Sequence, residues 1–247
     1  MIGRRRAVML AAIVAAAVIV TVGSVSAASA RSARLLPIYS VENSRREVSL
    51  TFDAAWGDSD TDGIIAILKK YNVKATFFAV GSWVDKYPES VKKLHAAGHS
   101  IMNHSDSHPH INKLSGAEVV ADAERCNDKI EALTGVRPIF YRAPYGEYNN
   151  DNVAAITDAG MYFVQWSADS IDWKKEYSPE RLLQNVLKQI SSGGIILCHN
   201  DAEHTLEELP LIIERLTADG YKFVPLTELI MTDNYYIDST GRQRQAK

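Results

Sequence analysis

From about residue 47 to residue 231 the chain alternates short β-type runs with stretches of helical period. Val48-Ser49-Leu50-Thr51-Phe52 switches between apolar and polar positions and is rich in β-formers, which predicts a strand. Asp60 to Asn72 then carries Ile64, Ile65, Leu68 and Tyr71 at helical spacing. The same order recurs: a strand over 73–80, a helix over 88–97 stopped by Gly98, and a strand over 99–103. Ser115 opens a long helix through Thr134, with Glu118 completing a capping box and Gly135 ending it. Strands over 139–142, 162–166, 194–198 and 223–224 are separated by helices over 150–159, 178–190 and 206–218. A last helix covers 226–231. About seven strands alternating with helices argue for a parallel sheet, and a barrel or near-barrel fits better than an open sheet.

The two ends differ from this body. Arg4-Arg5-Arg6 precede an uncharged run whose apolar heart spans Ala7 to Val22, and Ala28-Ser29-Ala30 follows as a small-residue cleavage site. That layout predicts an export signal or membrane anchor over residues 1–30, and an extracytoplasmic body, secreted or tethered. Residues 31–46 read as a linker or lead-in, 47–232 as one domain, and 233–247 as a loosely ordered polar tail.

Composition narrows the functions. A net charge of -3 with mixed signs gives no electrostatic case for nucleic acid. Cys126 and Cys198 lie in a helical pattern and an apolar run, so both read as buried free thiols. No feature calls for a partner chain, and a monomer is expected.

The chemistry gathers after the strands. Asp53 ends the first strand, and His104 and His108 follow the third. Arg142 ends the fourth, Asp169 and Asp172 follow the fifth, and His199 follows the sixth. In parallel barrels catalytic groups collect at the carboxyl ends of strands. His104 and His108 are four residues apart, which on one helical turn places both rings on one face. Two neutral imidazoles so held supply two ligands to a divalent metal, zinc before others. His95, His99, His110 and His204 read as structural or surface residues.

Five ordered motifs carry a resemblance. They are Thr51-Phe52-Asp53, His104-Ser105-x-x-His108, Arg142-x-Pro144-Tyr145, Asp169-x-x-Asp172-Trp173 and Leu197-x-His199. Over roughly residues 46 to 231 the chain resembles the polysaccharide deacetylases of the NodB-homology group, carbohydrate esterase family four. Leu36-Pro37-Ile38-Tyr39-Ser40 and Asp53-Ala54-Ala55-Trp56-Gly57 resemble the sporulation-associated branch.

The resemblance implies a distorted (β/α)7 barrel and metal-dependent removal of acetyl from an N-acetylated amino-sugar polymer such as peptidoglycan. It implies zinc or cobalt on His104 and His108, Asp53 as general base and Arg142 as its ion-pair partner. It makes His199 the general acid, backed by Asp172, and gives the Tyr145 backbone N–H to the oxyanion. Leu197 and Trp173 would wall the acetyl pocket. One position departs from the pattern: the family's second aspartate, a metal ligand, is Ala54 here. A third protein ligand would come from Asp53 or Asp58, or extra waters would fill the shell. Ala54 keeps a second function open, a weak or inactive glycan-binding or spore-envelope protein on the same fold. A metallophosphoesterase would want more carboxylates.

Overall fold

A computed structural model describes residues 34–246. The expected export segment over 1–30 lies outside the described residues.

The strands are β1 (Ser40–Val41), β2 (Glu47–Ala54), β3 (Thr76–Ala79), β4 (Ser100–Asn103), β5 (Phe140–Tyr141) and β6 (Tyr162–Phe163). They continue as β7 (Ala168–Asp169), β8 (Ile195–His199), β9 (Lys222–Phe223), β10 (Tyr235–Ile237) and β11 (Arg242–Gln245). The main sheet runs β6-β5-β4-β3-β2-β8-β7, with β9 beside the start of β2. Every pairing in it is parallel. Such a sheet is covered on both faces, so seven of the eight residues of β2 are buried. It curls into a half-barrel, the distorted (β/α)7 architecture expected, as a single mixed α/β domain.

The helices fall close to their expected places: Thr61–Lys70, Pro88–Ala96, Gly116–Thr134, Asn150–Asp158, Pro179–Gln189, Thr205–Ala218 and Leu226–Leu229. The Ser115/Glu118 capping box forms, and Gly135 stops that helix at φ 72°. A short helix, Gly81–Lys86, was not legible. Glycine at its first position suits a close approach, since an added Cβ would meet the Asp106 carboxylate at 2.0 Å and the Asp106 Cα at 3.0 Å. That close approach pins the loop after β4, since Gly81 N–H donates to Ser105 O at 2.9 Å.

Both flanking segments depart from expectation. The lead-in is not a free linker. Ile38 exchanges hydrogen bonds with Phe163 and Gln165 at 2.8 Å, beside β6. Val41 N–H donates to Gly193 O at 2.9 Å, at the start of β8. Residues 38–41 thus bridge the gap that the curled sheet leaves open. The polar tail is not loose either. β10 and β11 form an antiparallel pair, and β11 adds parallel to β1. Gln243 is fully buried, donating to Met231 O at 2.7 Å and accepting from Met231 N–H at 2.8 Å. Arg244 pairs with Glu42 and Asp238, both at 2.6 Å. β11 is held by polar side chains and backbone pairing, while β10 sets Ile237 against an apolar cluster and Tyr235 beside Tyr162 in a run of only three residues, too short to announce a strand.

Candidate active site

Parallel strands present their carboxyl ends on one edge, and register sets the level there. Asp53 lies opposite His199 in β8 and opposite Phe78 in β3. A cavity of about 610 Å³ opens at this edge, with Asp53, His104, His108 and His199 in its wall. Tyr145, Leu197, Trp173, Asp169, Ala55, Trp56 and Trp166 complete the lining. Chemistry separated by as many as 146 positions in sequence is thereby gathered at one mouth.

Asp53 is the centre of the arrangement. Its Oδ1 accepts from Arg142 Nη1 at 2.7 Å, and its Oδ2 is 3.4 Å from His104 Nε2. Arg142 is wholly buried, packs its guanidinium 3.9 Å from the Phe78 ring centre, and donates to Gln165 O at 3.2 Å. Burial pushes the Asp53 carboxyl up, and the neighbouring His104, Arg142 and His199 more than reverse it, so Asp53 sits below the usual carboxylate range. It is an ionised carboxylate held in place by a fixed cation.

The imidazole pair forms, but not on a helix. Residues 104–110 are a loop with Ser105 at φ 68° and His108 at φ 54°, which no α-helix accommodates. Side-chain bonds shape it instead: Asn103 Oδ1 accepts Ser105 N–H at 2.8 Å, and Ser105 Oγ accepts His108 N–H at 2.9 Å. Asp122 accepts from Asp106 N–H and Ser107 Oγ at 2.7 and 2.9 Å. The His104 and His108 ring centres end 5.1 Å apart. His104 Nδ1 lies 2.8 Å from Arg142 O, so Nδ1 carries the proton and Nε2 keeps its lone pair toward Asp53. Burial lowers both imidazoles, His108 to about 4. Two neutral imidazoles beside a carboxylate are a donor set suited to a divalent cation.

The carboxylates offered for the third ligand separate. Asp58 Oδ2 accepts from Ser90 Oγ at 2.7 Å and is not part of the cavity wall. Ala54 is buried in the apolar cluster behind β2 and brings no donor atom. Asp53 is the carboxylate brought to the pair.

Across the cavity, His199 Nδ1 lies 2.6 Å from Asp172 Oδ1, while His199 N–H donates to Asp172 Oδ2 at 2.6 Å. Burial lowers His199, but the bond and charge of Asp172, with Asp53 and Asp169, raise it above the usual imidazole value. This histidine favours the protonated form. Asp169 Oδ1 accepts Ile171 N–H at 2.8 Å, so it caps its own loop while facing the cavity. Leu197 is buried in the wall, whereas Trp173 and Tyr145 stand half exposed at the rim. Tyr145 takes φ 60° in the loop after Arg142. Its ring stacks on His110 at 4.2 Å, and His110 is held by Glu147 at 2.7 Å.

Three participants were not assigned from sequence. Trp56 stacks on His199 at 5.2 Å and 13°, and Trp166 joins the lining. Glu208 is fully buried close to Asp172. A signal for Glu208 existed: it sits four residues before Ile212, on the buried stripe of its helix.

An Arg-paired carboxylate and a carboxylate-backed imidazole face one cavity at the carboxyl edge of a curled parallel sheet, where barrel enzymes gather their chemistry. Comparison narrows the class. Residues 40–164 match the model of the family described as Polysaccharide deacetylase. A peptidoglycan-N-acetylglucosamine deacetylase of Bacillus cereus is 35% identical over 76% of this chain and 70% of its own length. The uncharacterized protein YlxY of Bacillus subtilis is 34% identical over 78% of this chain, and the match spans 60% of that relative's length. Among solved structures, a peptidoglycan N-acetylglucosamine deacetylase superposes with a TM-score of 0.75 at 34% identity, covering 79% of this chain and 93% of that one. A carbohydrate esterase family four pseudoenzyme from Bacillus anthracis also gives 0.75, at 36% identity over 78% of this chain and 68% of that one. The chain belongs to the polysaccharide deacetylase family, a family of enzymes that hydrolyse acetamide bonds and that also includes a pseudoenzyme.

Proposed function

We propose that this protein is a metal-dependent de-N-acetylase of an amino-sugar polymer of the peptidoglycan type, yielding the free amine and acetate. The observation that carries the reading is Asp53, ionised between Arg142 and His104, facing a His199 raised by Asp172. His104 and His108, with the Asp53 Oδ2 edge, would hold the cation. A bound divalent ion would polarise the acetyl carbonyl and acidify water. Asp53 takes the proton from the attacking water, because its carboxylate is kept ionised and oriented. Tyr145 N–H, on the turn after Arg142, donates to the developing oxyanion. His199 gives its proton to the departing amine nitrogen, and Asp172 stabilises it while charged. Leu197 and Trp173 flank the acetyl group, and Trp56 covers the outer face of His199.

The polymer lies outside the cytoplasmic membrane in this reading, in keeping with the charge pattern of residues 1–30. The flanking motifs favour a spore-associated wall. Zinc and cobalt are the candidate ions. A second reading, a glycan-binding protein of little or no activity, is supported by Ala54, and the Bacillus anthracis relative is itself described as a pseudoenzyme.

The test is acetate release from an N-acetylated glycan by purified protein with zinc, cobalt or chelator. His104→Ala should lose metal uptake, and Asp53→Asn should lose turnover while keeping much of the uptake. Glycan binding without acetate release under any metal would establish the second reading. Full rate in Asp53→Asn would remove the base assignment.

A further inference from the structure

Behind His199 the barrel wall holds a group that the reaction as described does not use. Asp172, Cys198 and Glu208 each bring one side-chain donor atom within 4.8 Å of the others, and all three are fully buried. Asp172 already gives both oxygens to His199, one to the ring and one to the backbone N–H. Neither Glu208 oxygen receives a hydrogen bond from any donor among the described residues. An ionised Glu208 would be a buried charge with no donor, set against another carboxylate, which costs far more than taking up a proton. A protonated Glu208 has one O–H to place, and the Asp172 carboxylate is the acceptor beside it.

We propose that Glu208 is a neutral carboxylic acid that donates a hydrogen bond to Asp172, and so acts as a positioning residue for His199. The inference takes its meaning from the deacetylase reading but stands on its own geometry. The bond fixes the Asp172 carboxyl plane and draws off part of its negative charge, so Asp172 holds the imidazole without over-binding its proton. The surroundings agree. Burial, with Asp172 and Asp169 close by, raises Glu208 to about 10, and burial raises the Cys198 thiol well above its ordinary value. His199 is the facing cation, and it is already paired with Asp172. A protonated acid, a protonated thiol and a fully engaged carboxylate make a poor cation site.

The test is infrared difference spectroscopy of the full-length protein against Glu208→Gln, in chelator at pH 8 and without glycan, so the result does not depend on activity. Loss of one protonated-carboxyl band in the variant is expected. No such band in the wild type, or a band that survives in Glu208→Gln, would overturn the proposal. So would loss of the wild-type band on adding zinc, because a cation would then hold Glu208 ionised. A second readout is the His199 Nδ1–H proton resonance. Glu208→Gln retains a donor and should leave it in place. Glu208→Leu, where folded, should move it downfield as Asp172 becomes the stronger acceptor. An unmoved resonance in Glu208→Leu would mean that Glu208 only fills space, and an upfield move that it does not weaken Asp172 as an acceptor; either would overturn the proposal.

Discussion

Removing Arg142 tests the electrostatic core of the site without relying on turnover. Arg142→Met keeps most of the apolar stem that packs on Phe78, but leaves Asp53 a buried carboxylate without its guanidinium. Breaking a buried pair from one side typically costs about 3–5 kcal/mol, most of it from the stranded charge. Losing the charge and hydrogen bond of Arg142 raises the Asp53 proton affinity above its wild-type value, with His104 and His199 still opposing burial. The variant should therefore lose less stability than the wild type as pH falls. In the wild type Asp53 is lowered, so its contribution is present at neutral pH and is lost as pH falls through its folded value. In Arg142→Met the folded value is higher than in the wild type, so the gap between the two proteins is complete above it and shrinks as pH falls through it. Urea unfolding in chelator, at neutral pH and near pH 5, reads the difference between variant and wild type. That difference should be about 3–5 kcal/mol at neutral pH and smaller in acid. Asp53→Asn/Arg142→Met, which removes both charges, should regain most of the loss. A double variant no more stable than Arg142→Met, or a gap that widens in acid, would refute the stranded-charge account.

Two further outcomes follow from the same structure. His99 is buried, accepts Ala75 N–H at 3.3 Å through Nδ1, and is pushed down to about 4. The unfolded chain protonates first, so stability present above roughly pH 6.5 is lost toward pH 4, at up to about 1.4 kcal/mol per pH unit for this one group. His99→Gln should flatten the acid slope of urea-derived stability by that amount, leaving the slope from His104 and His108; an unchanged slope would exclude the assignment. Gln243→Ala strands the Met231 N–H and C=O that its amide serves, and should cost about 1–3 kcal/mol in urea unfolding. A change under about 0.5 kcal/mol would mean that the terminal strands add nothing to the fold.

The alternation of strands and helices was legible because burial on two-layer walls writes itself as period. Val48 to Phe52 and the Ser115–Gly135 helix carry local signals strong enough to survive any tertiary context. So were the ionisable residues at strand ends, since a parallel sheet gathers those ends on one side whatever the loops do. The β1/β10/β11 sheet was not legible, because Gln243 and Arg244 hold it through partners far off in sequence. Spacing also misled at His104 and His108. The rings meet through a loop bent by Asn103, Ser105 and Asp122, not through a helical turn.

The sequence by itself determined which ionisable side chains end the strands, and that position 54 offers no carboxylate. Only the tertiary structure decided their states and partners: that Asp58 turns to Ser90, that Asp53 faces both Arg142 and His104, and that Glu208 lies against Asp172. The reason is physical. A periodic pattern reports which face of an element is buried, whereas charge state and hydrogen-bond direction depend on distances of a few ångström between segments that approach one another only when the sheet curls.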